Sequence, residues 1–165
     1  MASTASVATS KMVGFLTAGE KGLGAAITQV GSEAGVSLAP IPAGHIVDQN
    51  VPFDLEEKAL VTKYPRIHVY SDRVQNLLTE KFRTFSGKVR MVVEVGVSQD
   101  RLEGIEEQLR LYVDAVTQVL DANRGTWGQG AFFTGGYEVS FGPVRHGGRN
   151  FLQVAKVAMD VDFSE

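Results

Sequence analysis

The chain contains no cysteine. That excludes a disulfide scaffold, thiol nucleophiles and every thiolate metal site, and it fits a reducing compartment. Histidine is almost as scarce. His45, His68 and His146 lie 23 and 78 residues apart, which matches no metal-ligand spacing, and HExxH does not occur. No serine stands in a GxSxG elbow. No apolar run approaches the roughly 20 residues that span a bilayer. Arginine is missing before Arg66, and the short apolar stretch Met12 to Leu16 is broken by Gly14. Neither a transit peptide nor a signal-peptide core is therefore expected there. The string Gly19 to Gly24 resembles a phosphate loop only superficially, because GxxxxGK[ST] is absent and no strand precedes it.

What is present is a chain of 165 residues, 44% hydrophobic and 21% charged, with a net charge of −3. Those proportions belong to a folded domain with one core rather than to a disordered chain. The charge is unevenly placed. Residues 1–62 carry three lysines against six acids, and residues 91–165 carry six bases against eleven acids. Between them, residues 63–90 carry seven bases against two acids. Such a block is either the solvated face of half-buried strands or a docking surface for an acidic partner or a DNA backbone. It lacks the interleaved aromatics that single-strand binders use, which favours the solvated face.

The pattern divides the chain at about residue 54. Residues 1–11 are small and Ser/Thr-rich and read as a mobile tail. Leu23, Ala26, Ile27 and Val30 have helical spacing, but the glycines around them each cost a helix about 1 kcal/mol. Residues 36–54 hold three prolines and no period, and read as an extended arm. From 55 the patterned domain begins, with a helical turn over Phe53–Leu60 capped by Asp54. Ile67 and Val69 start a strand, and residues 72–87 fit either a second strand or a short helix. Val89, Met91, Val93, Val95 and Val97 alternate as one buried strand face. Residues 100–124 predict a long amphipathic helix, with apolar positions from Leu102 to Leu120, Asp100 and Glu103 as a capping box, and Gly125 as its stop. Tyr137, Val139 and Phe141 form a further strand, and residues 145–150 a hairpin turn. Phe151, Gln153, Ala155, Val157, Met159, Val161 and Phe163 share one face of a long last strand. The fold class expected is α+β: a mainly antiparallel β-sheet with one long α-helix packed on one face, plus an extended N-terminal arm over residues 1–54.

No set of side chains gathers into catalytic machinery. Glu103, Glu106 and Glu107 are accounted for by capping and the helix dipole, and Asp160 and Asp162 alternate outward from an apolar strand. The unusual segment is the glycine-rich GTWGQGAFFTGG loop with Trp127, Phe132 and Phe133. Its rings either fold back on the helix end or meet a neighbouring subunit. The N-terminal segment carries apolar side chains that a partnerless tail would lack, among them Phe15, Leu38 and Ile46. Together with Trp127, Phe132 and Phe133 they are the candidate subunit-interface residues.

The succession KYPRIHVYSDRV, TEKFRTFSGKVRMVVEVGV, SQDRLEGIEEQLRLYVDAVTQVL and YEVSFGPVRHGGRNFLQVAKVAMDV, from Tyr64 to Phe163, resembles the tail-terminator and tail-completion proteins of long-tailed bacteriophages. The resemblance implies a structural virion protein without catalytic residues, cofactors or metals. It implies a ring, usually a hexamer, that caps the tail tube and meets the head-side connector or neck proteins. Genomic DNA would pass through without specific binding. The location implied is the head–tail junction of the virion, after assembly in the host cytoplasm. The competing reading is a small α+β enzyme or ligand-binding domain with His68 or His146 as base, in the cleft between helix 100–124 and the sheet.

Overall fold

The computed structural model describes residues 2–49 and 63–165. The expected helical turn over Phe53–Leu60 lies outside the described residues.

Two long strands make the spine of the fold. β2 (Arg66–Asn76) runs into β3 (Ser86–Gln99), and β3 pairs antiparallel with β8 (Asn150–Ser164) along its entire length, from Ser86↔Ser164 to Gln99↔Phe151. Alternation explains why they hold. Val89, Met91, Val93, Val95 and Val97 on β3 and Ala155, Val157, Met159, Val161 and Phe163 on β8 all point to one face and are buried. The other edge of β8 is shared by three short strands, β5 (Ala131–Phe133), β6 (Glu138–Phe141) and β7 (Arg145–Gly147). β4 (Gly125–Gly128) closes that side by pairing with β5, and β1 (Ile46–Val47) adds a two-residue parallel edge to β2. The architecture is α+β with a mixed sheet.

Among the described residues, three α-helices accompany the sheet, where one long helix was expected. α1 (Ala2–Thr17) packs on β2, β3 and α2, α2 (Leu23–Ala34) packs on α3, and α3 (Ile105–Ala122) lies on β3 and β8. The helical spacing of Leu23, Ala26, Ile27 and Val30 is realised as α2, while the described part of the expected arm, residues 36–49, holds only a short 3-10 turn and β1. The mobile tail expected over residues 1–11 is instead, from Ala2 onward, part of α1. The physical reason is a narrow stripe at every fourth position: Thr4, Ala8, Met12 and Leu16 are all buried. Two of its members are small or polar, so hydrophobicity alone does not display it. Gly35, at φ 69°, ends α2 in the left-handed conformation, and its N–H bonds to the Ser32 carbonyl. The chain then returns past α3, where the Tyr112 hydroxyl donates to the Ala39 carbonyl at 2.7 Å.

The start of α3 also differs from expectation. Asp100 and Glu103 do not form its cap. The N-cap is Gly104 at φ 81°, and no side chain caps the helix. The preceding loop is held instead by the Gln99 amide, which donates to the carbonyls of Arg101 at 2.6 Å and Glu103 at 2.7 Å. The inward face of α3 is as predicted, with Leu109, Tyr112, Val116, Val119 and Leu120 buried. The glycine-rich loop resolves into the β4–β5 hairpin. Its two-residue turn, Gln129 and Gly130, has positive φ at both positions (53° and 79°), as a type I′ turn requires.

Candidate interaction surface

Of the six apolar residues singled out as interface candidates, one is strongly exposed. Phe132 on β5 is 45% exposed, whereas Trp127 and Phe133 are buried. The Trp127 ring lies between Phe15, at 5.0 Å edge-on, and Phe133 at 5.6 Å, and its Nε1 donates to the Asn123 carbonyl at 2.7 Å. Ile46 is buried and Leu38 half-buried against the common core. Five of the six thus pack within their own chain. Burying them against α1 and α3 removes the apolar surface that a partner was expected to cover.

The histidines are dispersed as well. His45 Nδ1 lies 3.0 Å from the Pro65 carbonyl, and the His146 ring packs edge-on against Phe151 at 5.0 Å. His68 is buried on the sheet face opposite α3, in register with Glu94. There it belongs to a charged cluster. Arg66 Nη1 donates to Glu94 Oε2 at 3.2 Å, His68 Nδ1 stands 3.7 Å from the same oxygen, and Lys156 Nζ lies 3.9 Å from Oε1. Burial pushes the Glu94 carboxyl up, but the adjacent His68 imidazole and the charges of Arg66 and Lys156 outweigh it and hold the group below the ordinary carboxylate range. Burial, reinforced by Glu94 and Asp72, pushes the neighbouring Tyr70 hydroxyl up to about 12. An ionised carboxylate satisfied by cations has no free proton to exchange near neutrality. The cluster joins β2, β3 and β8 by charge. Among the described residues, no group of three His, Asp or Glu side chains is placed to hold a metal ion.

The densest group of exposed large apolar residues lies elsewhere, at the end of β2 and on the turn between β2 and β3. Phe82 is fully solvent-exposed, Leu78 is 60% exposed, and Leu77 and Val74 stand out beside them. Leu78 and Phe82 also hold positive φ angles of 49° and 63°, a conformation that costs a large side chain free energy. The turn keeps this shape through its own polar contacts. The Asn76 side chain accepts from the backbone N–H of Leu78 and Ser86 and donates to the Thr84 carbonyl. Ser86 Oγ accepts from the Glu80 N–H, and Ser164 Oγ donates to Glu80 Oε2 at 2.6 Å. A hollow of about 340 Å³ opens beneath, lined by Leu77, Glu80, Lys88, Phe132 and Asp162. Phe132 and the turn therefore belong to one surface.

Arg73, Lys81, Arg83 and Lys88 surround these apolar residues, all exposed, with Glu80 the single acid within residues 73–88. The basic block read from the sequence is thus the rim of a projecting, internally braced apolar tip. Sequence reasoning located the charge but missed Leu77, Leu78 and Phe82. The available signal was three large apolar residues that fit neither a period of two nor one of 3.6. No helix of the described residues is long and apolar enough to cross a membrane. The sequence matches no protein-family model, and no curated protein is detectably similar to it.

Proposed function

We propose that this protein is a structural virion component that assembles with copies of itself into a ring, a hexamer by its resemblance to tail terminators. The ring caps the tail tube at the head–tail junction and joins it to the head-side connector. The observation that carries this reading is the β2–β3 tip. It displays Phe82 and Leu78 to solvent in a costly backbone conformation fixed by Asn76 and Ser86. A braced loop that holds large apolar side chains outward loses little entropy on docking, which is what a repeated subunit contact requires.

Two further features support the reading. The order of strand pair, long helix and returning strands matches the pattern from which the resemblance was drawn, with a mainly antiparallel sheet behind the helix. The surface of α3 that faces the sheet is filled by Leu109, Tyr112, Val116 and Leu120, and His68 lies on the opposite side of the sheet. No specific observation favours the enzyme reading.

Averaged electron-microscope images of the purified protein test the proposal. Closed rings with a central opening are expected, and they should bind the ends of purified tail tubes. Particles of single subunits that ignore tube ends would overturn it.

A further inference from the structure

We infer that the β2–β3 tip of one subunit docks on the loop that opens α3 in the next copy of the chain, so that the subunit contact is head-to-tail. This rests on the assembly proposed above and names its two faces.

The first face is the tip: Leu78 and Phe82 exposed at its end, with four bases and one acid between Arg73 and Lys88. The second face is its complement. Residues 100–107 carry Asp100, Glu103, Glu106 and Glu107 against Arg101, all of them exposed. In their midst Leu102 is 54% exposed. This loop is braced as the tip is, by the Gln99 amide on the carbonyls of Arg101 and Glu103. Each face thus offers apolar side chains among charges of predominantly one sign, and the two predominant signs are opposite. At the tip, however, Arg83 pairs with Glu80 at 3.5 Å and Asp162 and Glu165 lie nearby, and at the loop Glu106 pairs with Arg110 at 3.0 Å. Such complementarity selects the partner and fixes its register.

Topology prevents the two faces from meeting within one chain. The tip precedes Ser86 and the acidic loop follows Gln99, so they stand at opposite ends of β3. That strand has 14 residues and is about 45 Å long at its usual rise. Unlike faces at opposite ends of a subunit make a heterologous contact, which closes into a ring when the rotation between neighbours permits it. A two-fold contact using the same faces would need two chains side by side and antiparallel, tip on loop at both ends, and would stop at the dimer rather than close a ring.

The experiment is a charge exchange read by light scattering. The tip variant is Lys81→Glu with Arg83→Glu, and the loop variant is Glu103→Lys with Glu107→Lys. All four positions are exposed, and a melting curve matching the wild type establishes that each variant folds. Each variant alone should need at least about tenfold more protein for half-assembly. A 1:1 mixture should recover wild-type assembly, because every contact then joins opposite charges again. In 1 M salt, where the Debye length is about 3 Å, wild-type assembly should weaken. If the wild type assembles but the variants assemble equally well, or the mixture fails to recover, the assignment of faces is wrong while the ring stands. If the wild type is a monomer at every concentration, the ring itself fails. A monomer that binds duplex DNA through the tip would overturn both.

Discussion

The Phe15 ring stands edge-on to the Trp127 indole, their centroids 5.0 Å apart and their planes inclined at 65°. Phe15 belongs to α1 and Trp127 to β4, far apart in the sequence, so this contact ties the N-terminal helix to the hairpin that follows α3. It also places α1 inside the fold. Met12 and Leu16, three and one positions away from Phe15, are fully buried.

Removing α1 should accordingly remove cooperative unfolding rather than leave a stable remainder. Leu16→Ala alone is expected to cost about 2–4 kcal/mol, the range for emptying a buried leucine site. Urea denaturation followed by circular dichroism measures it. A midpoint unchanged from the wild type would show that α1 is not part of the core.

Glu94 sets the response to acid. Its carboxyl titrates below the ordinary value in the folded state, so the stability it contributes is present above the unfolded value of about 4.5 and is lost as pH falls below it. Glu94→Gln should destabilise the fold by about 3 kcal/mol at pH 7, because Arg66 is then left buried beside an uncharged amide. The same substitution should flatten the decline in melting temperature below pH 4.5. Parallel pH profiles for the two proteins would contradict this account.

Gly130 is required by geometry. It holds φ 79°, and a Cβ there would lie 2.4 Å from the Ser164 carbonyl oxygen, which is backbone and cannot swing away. Gly130→Ala is expected to disturb the joint between β5 and the end of β8 and to cost about 1–3 kcal/mol. Hydrogen exchange should show the loss first at the Ser164 amide, which bonds the Gly130 carbonyl at 3.0 Å. Full protection at that amide would count against it.

The tip should separate stability from assembly. Phe82 is exposed and at φ 63°, where asparagine is better tolerated than phenylalanine. Phe82→Asn should leave the melting temperature of the subunit equal or slightly higher while reducing self-association. A lower melting temperature would mean that the ring packs on its own chain.

The strands and α3 were legible because period two and period 3.6 were written in large aliphatic residues, as at Val89 to Val97 and Leu109 to Leu120. α1 was not, because its buried stripe runs Thr4, Ala8, Met12, Leu16 and its first half looks like a polar tail. Of the two readings of the glycine-rich loop, Trp127 and Phe133 follow the one in which the rings fold back on the helix end, but Phe15, more than a hundred residues earlier, completes their packing, and no local pattern encodes that contact. The exposed tip was hidden for the opposite reason. Leu77, Leu78 and Phe82 resemble core residues until the turn geometry set by Asn76 and Ser86 directs them outward. Glu94 looked like an outward residue of an alternating strand, and only its register with His68 and Lys156 reveals it as buried and paired.

The most direct measurement of self-assembly is the solution mass of the full chain by light scattering across a hundredfold range of concentration, for the wild type and for Phe82→Asn side by side. The account predicts that the wild type reaches one closed multiple of 17.8 kDa and stays there, while the variant remains at or near 17.8 kDa over the same range. A wild type that stays at 17.8 kDa throughout, or a variant that assembles as well as the wild type, would contradict it.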